Sequence, residues 1–294
     1  MTGSERTGEA AGPAKPVRTP RAGRDLPAAI ITGAALLIPA VLGIMFFPLL
    51  LIMLGVVLLS MGVWEVARAL ETQGLRLPKL PLFLGAAAMP LSAYFGGVEA
   101  LTLALMVTCT AIAVTAAVLR VQDPGRSIMS SMFVACWVPF LVSFAVLLLS
   151  QPDGQWRLAV VVLLVVSNDT FGYMVGVLFG KHPMAPKISP KKSWEGFAGS
   201  MVGSVLVGVL TSWLIFGEPI HVGALLAAAV VVSATAGDFS ESMVKRELGL
   251  KDMSQMLPGH GGVMDRLDSL VFAMPTAYFV IVALTRDSGG VPLG

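Results

Sequence analysis

The chain has 294 residues, of which 55% are hydrophobic and only 13% charged, with a mean hydropathy of +0.81 and a net charge of +2. A soluble domain carries about 25% charge, so this composition excludes an ordinary globular fold. Its two cysteines, Cys109 and Cys136, lie inside apolar runs, which excludes a disulfide framework or a cysteine metal site and leaves them as small core residues.

Residues 1–25 are rich in Gly, Pro, Thr and Arg with no apolar periodicity, and read as a disordered basic tail. No cleavage site marks them as a signal peptide. Beyond the tail, windows of roughly 20 apolar residues, each long enough to cross a bilayer core, place about nine spans. They lie near 27–46, 48–68, 81–97, 99–119, 128–150, 158–180, 197–217, 219–237 and 268–285. Pro48 alone separates the first pair, and Pro90 interrupts the third. The runs are continuous rather than alternating, which favours helices over a barrel. The fold class expected is therefore all-α, a polytopic transmembrane bundle. It divides into an N-terminal helical region, 26–155, and a region with chemistry, 156–290, that carries two polar loops at 181–196 and 238–267.

With the N-terminus in the cytoplasm and the spans alternating, all but Arg157 and Arg286 of the 20 lysines and arginines fall on the cytoplasmic side. The positive-inside rule thus places both polar loops there and the C-terminus outside, in a multi-pass cell membrane protein. No internal repeat suggests the inverted halves of a transporter.

Four segments carry candidate chemistry. The sixth span holds Asn168-Asp169, and an acid at that depth normally faces a polar cavity because hydrocarbon excludes it. Gly172, Gly176 and Gly180 follow at four-residue spacing, a stripe read as close helix packing. The loop KHPMAPKISPKKSWEG supplies lysines on a proline-stiffened turn; compact ammonium groups suit phosphates, although positive-inside decoration would also explain them. Leaving the eighth span, Asp238, Glu241 or Ser242, and Lys245 share a helical face, and Gly249 is a helix stop. Finally, in PGHGGVMDRLD, His260 sits among glycines that let backbone approach a ligand, and Asp265 and Asp268 lie three apart at the start of the last span. The acids there could simply complement a helix N-terminus. Several carboxylates converging on one membrane face suit a divalent cation such as Mg2+, completed by water and phosphate oxygens. Acids for metal, cations for phosphate and a glycine loop together form the equipment of phosphoryl or nucleotidyl transfer. No P-loop and no dinucleotide-binding glycine motif is present.

These residues resemble a known family. Ser242-Met243-Val244-Lys245-Arg246, then Lys251-Asp252, then the run from Leu257 to Asp268 looks like the signature of the phosphatidate cytidylyltransferases, also called CDP-diacylglycerol synthases. Ser189-Pro190-Lys191-Lys192-Ser193-Trp194-Glu195-Gly196 is similar to the family's second landmark, with Ser193 where threonine is common. Asn168-Asp169 and Gly237-Asp238 also fit. The resemblance covers roughly 160–285; the N-terminal half matches only as a hydrophobic bundle.

The resemblance implies transfer of CMP from CTP to phosphatidate, with pyrophosphate leaving, at a site on the cytoplasmic interface. It implies Mg2+ held by Asp238 and Asp265 with Asp268 and Asp169 close by, and leaves a second cation open. Asp238, Asp265, Lys245, Arg246 and His260 are the catalytic candidates. Ser189, Lys191, Lys192, Ser242, Lys251, Gly261, Gly262 and Arg266 are the substrate-binding ones. CTP, phosphatidate and other membrane lipid are the expected partners, nucleic acid is not, and a homodimer is left open. Two competing readings remain. One is another CTP-dependent or phospholipid enzyme of the polyprenol-kinase kind; the D-G-x-x-A-R pattern of CDP-alcohol phosphatidyltransferases is missing. The other is a transporter using the acids as an ion path.

Overall fold

The computed structural model describes residues 26–121, 123–257 and 261–287. Nine helices follow in chain order: α1 (Leu26–Met45), α2 (Pro48–Glu71), α3 (Lys79–Val118), α4 (Pro124–Ala135), α5 (Phe144–Leu149), α6 (Gly154–Phe179), α7 (Trp194–Thr211), α8 (Ile220–Glu247) and α9 (Met264–Asp287). A π-helical turn at Cys136–Phe140, where Pro139 lacks a backbone donor, joins α4 to α5. A second one, Ser212–Phe216, extends α7. The lysine loop forms the small antiparallel hairpin β1 (Pro183–Ala185) and β2 (Ser189–Ser193). The all-α expectation therefore holds for everything but this hairpin.

Seven helices among the described residues are long and apolar enough to cross a membrane, which makes this a multi-pass protein. Nine spans were expected, and the difference has a local cause. The segments 81–97 and 99–119 both belong to α3, and the apolar part of α1, Ile30–Met45, is shorter than the others. Yet α3 is not one straight rod. Gly97 has φ 66° and ψ −156°, a conformation for glycine rather than an L-residue, and it breaks the helix. A methyl carbon added at Gly85 would sit 2.5 Å from the Thr108 side chain. Those two positions would be about 35 Å apart on a straight helix at 1.5 Å per residue, so the chain folds back on itself at Gly97.

The chemistry-bearing half is a run of antiparallel hairpins. In the N-terminal half, Pro48 and Pro124 open α2 and α4 at a position that needs no backbone donor. Ser193 caps α7 by accepting from Gly196 N at 3.1 Å. Gly249, φ +70°, ends α8 in a Schellman motif: Leu250 N donates to Lys245 O (2.7 Å) and Gly249 N to Arg246 O (3.1 Å). The expected helix stop is confirmed.

Small residues bring these helices close. The stripe Gly172, Gly176, Gly180 faces Ser200, Gly196 and Ser193 of the α7 start, and Ser200 Oγ donates to Asn168 O at 2.5 Å. In return, Phe171 and Val175 of α6 lie against Gly203 and Gly199. Gly208 and Gly223 do the same for α7 and α8 at the other end. Gly237 lets α8 touch the backbone of α9: an added methyl carbon would fall 2.3 Å from Asp268 O. This packing gathers the C-terminal ends of α6 and α8 and the N-terminal ends of α7 and α9 at one end of the bundle.

Candidate active site

At that end a cavity of about 300 Å3 opens between α6, β2, α7 and α8. Its lining includes Asn168 and Asp169 from α6, Ser189, Lys191 and Lys192 from β2, and Thr235 and Asp238 from α8. Tyr173, Met184 and Phe197 line it as well. Asp169 is oriented by Asn168, whose Nδ2 donates to Oδ1 at 3.0 Å. Asp238 receives the Lys192 ammonium and, at 2.6 Å, the hydroxyl of Ser269. Lys192 also lies over the Phe239 ring, 5.1 Å from its centroid, an attractive placement for a cation.

Ser269 joins two acids, because it also donates to Asp268, through its backbone N at 2.7 Å. Asp268 thus stands next to the cavity acids without lining the cavity itself.

The second half of the predicted set forms a separate network one turn further along α8. Lys245 Nζ lies 2.5 Å from Glu241 and 2.7 Å from Asp265. Asp265 also accepts from Met253 N (3.2 Å) and Gly262 N (2.9 Å). Its carboxylate is therefore already satisfied by an ammonium and two backbone amides. Arg246 is exposed and reaches back to the hairpin, donating to Ile188 O at 3.4 Å. Ser242, Lys251 and Arg266 do not line the cavity; Lys251 and Arg266 are exposed and Ser242 half-buried. Gly261 and Gly262 start the turn into α9, and Gly261 has φ +83°. His260, with Pro258 and Gly259, lies outside the described residues.

Of the four predicted metal-holding acids, the structure thus groups Asp169 and Asp238 in the cavity with Asp268 beside them, and sets Asp265 in the lysine network. No group of three or more His, Cys, Asp or Glu among the described residues is arranged as a ready metal cage. Asp169 and Asp238 are oxygen donors lining one cavity, which suits a hard cation that needs only one or two carboxylates.

One residue of this region had no signal in the sequence. Glu65 of α2, 1% exposed, accepts from Ser254 Oγ (2.5 Å), Val263 N (2.9 Å) and Met264 N (2.8 Å). Sequence reading missed it because it stands alone in an apolar span, in the half of the chain with no motif.

Lysines and paired carboxylates around one cavity of a multi-pass helical bundle suit a class of membrane enzyme that handles phosphate groups. The comparison with known proteins narrows it: the chain belongs to the cytidylyltransferase family, whose model matches residues 27–284. It is 39% identical over 279 residues to the phosphatidate cytidylyltransferase of Mycobacterium bovis, covering 90% of this chain and 91% of that one. Identity is also 39% over 282 residues with the phosphatidate cytidylyltransferase of Mycobacterium leprae, covering 90% of each. With the chloroplastic phosphatidate cytidylyltransferase 4 of Arabidopsis thaliana it is 32% over 223 residues, 66% of this chain and 56% of that one. The match to the family extends through the N-terminal half, well beyond the 160–285 region where the resemblance was legible.

Proposed function

We propose that this chain transfers CMP from CTP to phosphatidate, forming CDP-diacylglycerol and releasing pyrophosphate. A phosphate oxygen of phosphatidate attacks the α-phosphorus of CTP. The bond from that phosphorus to the bridging oxygen breaks, and its electron pair leaves with pyrophosphate. A phosphate monoester is already ionised near neutral pH, so neutralising charge matters more than removing a proton. The observation that carries the reading is the cavity itself, in a chain of this family. Lysines and carboxylates line it together with Tyr173, Met184 and Phe197, which suits a substrate that carries both anionic and apolar parts.

Lys191 and Lys192 meet phosphate oxygens, and Ser189 donates a hydroxyl. Lys192 rests on Asp238, and an arriving phosphate offers it a second anion. Asp169 and Asp238, with Asp268 beside them, would hold Mg2+, which when bound neutralises phosphate charge. Asp265 is assigned to holding Lys245 and the start of α9, because it does not line the cavity and accepts from Lys245 and two backbone amides. Arg246 braces the hairpin through Ile188. The site faces the cytoplasm, where the positive-inside rule puts both polar loops. If α1 crosses once and each arm of α3 crosses separately, the chain makes nine crossings and ends outside.

The test is one incubation of purified protein in detergent with phosphatidate and labelled CTP, with and without Mg2+. Label is expected in the lipid fraction with pyrophosphate released, and chelation is expected to stop it. Asp238→Asn should lower transfer by roughly 10²-fold or more while membrane insertion is unchanged. Label that stays in water with a folded protein, or full activity in that variant, would overturn the reading.

A further inference from the structure

We infer that Glu65, in the N-terminal half of the chain, is a positioning residue: its buried carboxylate staples the base of the 254–263 loop to α2 and sets the first turn of α9. The inference rests on the reading of the neighbouring cavity as the transfer site.

Both carboxylate oxygens of Glu65 are used. Oε1 takes Ser254 Oγ and Val263 N, and Oε2 takes Met264 N. Ser254 and Val263 are the two ends of the loop, so one side chain closes it. Higher up, Leu257 and Gly261 exchange backbone hydrogen bonds at 2.8 and 3.1 Å. The chain leading up to Leu257 and the chain leaving Gly261 are thus held together twice, by Glu65 and by this backbone pair.

Glu65 also fixes the neighbouring turn. The amides of Gly262, Val263 and Met264 are consecutive, and each donates to a carboxylate: the first to Asp265 at 2.9 Å, the other two to Glu65. A methyl carbon at Gly262 would lie 2.8 Å from Asp265 Oδ2 and 2.9 Å from Glu65 Oε2, so only hydrogen fits between the two acids. The positive end of α9 favours anions here. A buried carboxylate is costly unless it is fully hydrogen-bonded, and this one is. The first turn so held carries Asp265, which accepts from Lys245, and leads into Ser269, whose hydroxyl donates to Asp238 and whose backbone N donates to Asp268. A shift of that turn moves both networks together. Gln73, in the turn just past α2, donates to Leu248 O at the end of α8, so α2 and the turn that follows it brace both partners.

Glu65→Gln replaces one acceptor oxygen by an NH2 group that faces a backbone N–H. Misplacing a catalytic constellation by a fraction of an ångström costs on the order of ten- to a hundredfold in turnover. We expect Glu65→Gln to lower kcat by that factor with KM for CTP changed by less than about threefold. Ser254→Ala leaves both amide bonds to Glu65 and should cost about fivefold or less in kcat. Leu148→Ala, in a fully buried position of α5 remote from the site, serves as a control for lost stability: its thermal midpoint falls, but kcat per folded molecule does not. Hydrogen–deuterium exchange of the full-length protein in detergent is the second readout. In Glu65→Gln, the amides of Val263 and Met264 should lose protection while those of α6 and α7 keep it. Wild-type kcat in Glu65→Gln, unchanged protection at those amides, or an equal fall of kcat in Leu148→Ala would each overturn the proposal. The exchange arm needs no substrate, so a wild-type protein that transfers nothing would refute the transfer reading and still leave the staple tested.

Discussion

Removing the Lys245 ammonium should strand two carboxylates, and the size of the effect follows from their burial. Lys245 is 13% exposed, Glu241 0% and Asp265 11%, and the ammonium lies within 2.7 Å of both acids. Deleting one partner of a buried ion pair costs roughly 3–5 kcal/mol, because an uncompensated charge stays inside. Asp265 keeps the amides of Met253 and Gly262, so the larger share of the penalty falls on Glu241. For Lys245→Met we therefore expect a loss near the lower figure, about 3 kcal/mol. At 2–4 °C per kcal/mol that is a fall in thermal midpoint of roughly 6–12 °C. Adding Glu241→Gln replaces the stranded charge by a neutral amide and should recover about half of the loss. The assay is the midpoint of detergent-solubilised protein followed by fluorescence and gel filtration. All variants are heated at one rate, because unfolding of such a protein is not reversible. A single variant within about 2 °C of wild type, or a double variant less stable than the single, would refute the argument that Lys245 serves first to hold two buried acids.

Two further outcomes follow from the packing and the topology. Gly203→Ala puts a carbon 2.2 Å from the Phe171 ring and should cost about 1–3 kcal/mol, whereas Gly55→Ala, with nothing within 4 Å, should stay within about 1 kcal/mol of wild type; equal thermal midpoints for the two variants would contradict the close α6–α7 contact. With Cys109 and Cys136 replaced by serine, a membrane-impermeant thiol reagent should reach Lys187→Cys only from the cytoplasmic side and His221→Cys only from the other; labelling of both from one side would contradict the proposed orientation.

What was legible in the sequence was local. The glycine stripe at Gly172, Gly176 and Gly180 announced a flat helix face, and α7 packs on it. Asp169 in an apolar run announced a polar cavity, and it lines one. Lysines crowded on a short loop suggested a phosphate contact, and Lys191 and Lys192 line that same cavity. The helical spacing of Asp238, Glu241 and Lys245 was also right as far as it went: Glu241 and Lys245 pair one turn apart. Spacing alone could not show that Asp238 turns instead to Lys192 and Ser269, since that depends on how α9 crosses α8 at Gly237. Nor could it separate Asp265 from the cavity acids, because the difference lies in which donors from the 249–263 segment reach it. Glu65 was invisible for the same reason: its partners lie 189–199 residues away, and an acid near the end of a hydrophobic helix names none of them. The reversal at Gly97 was read as two spans from hydropathy, but whether the arms join as one hydrogen-bonded run depends on the backbone there.

The start of α9 bears on where the proposed phosphate-binding cations lie. A helix N-terminus is a natural anion site, and this one stands at the same end of the bundle as the cavity. Its leading amides, however, already donate to Asp265 and Glu65, so they have nothing left to offer a substrate. The acids that saturate them add negative charge that an incoming phosphate would have to face, and Lys245 is held between one of them, Asp265, and Glu241 of α8. Cations for the substrate must therefore come from another element. The lysine hairpin supplies them: β2 brings Lys191 and Lys192 to the cavity from outside the helix ends, on a backbone tied to α7 through Ser193 and to α8 through Arg246. The division of labour is electrostatic. Carboxylates and amides fix the α8–α9 junction, and the hairpin presents positive charge to whatever enters between α6 and α8.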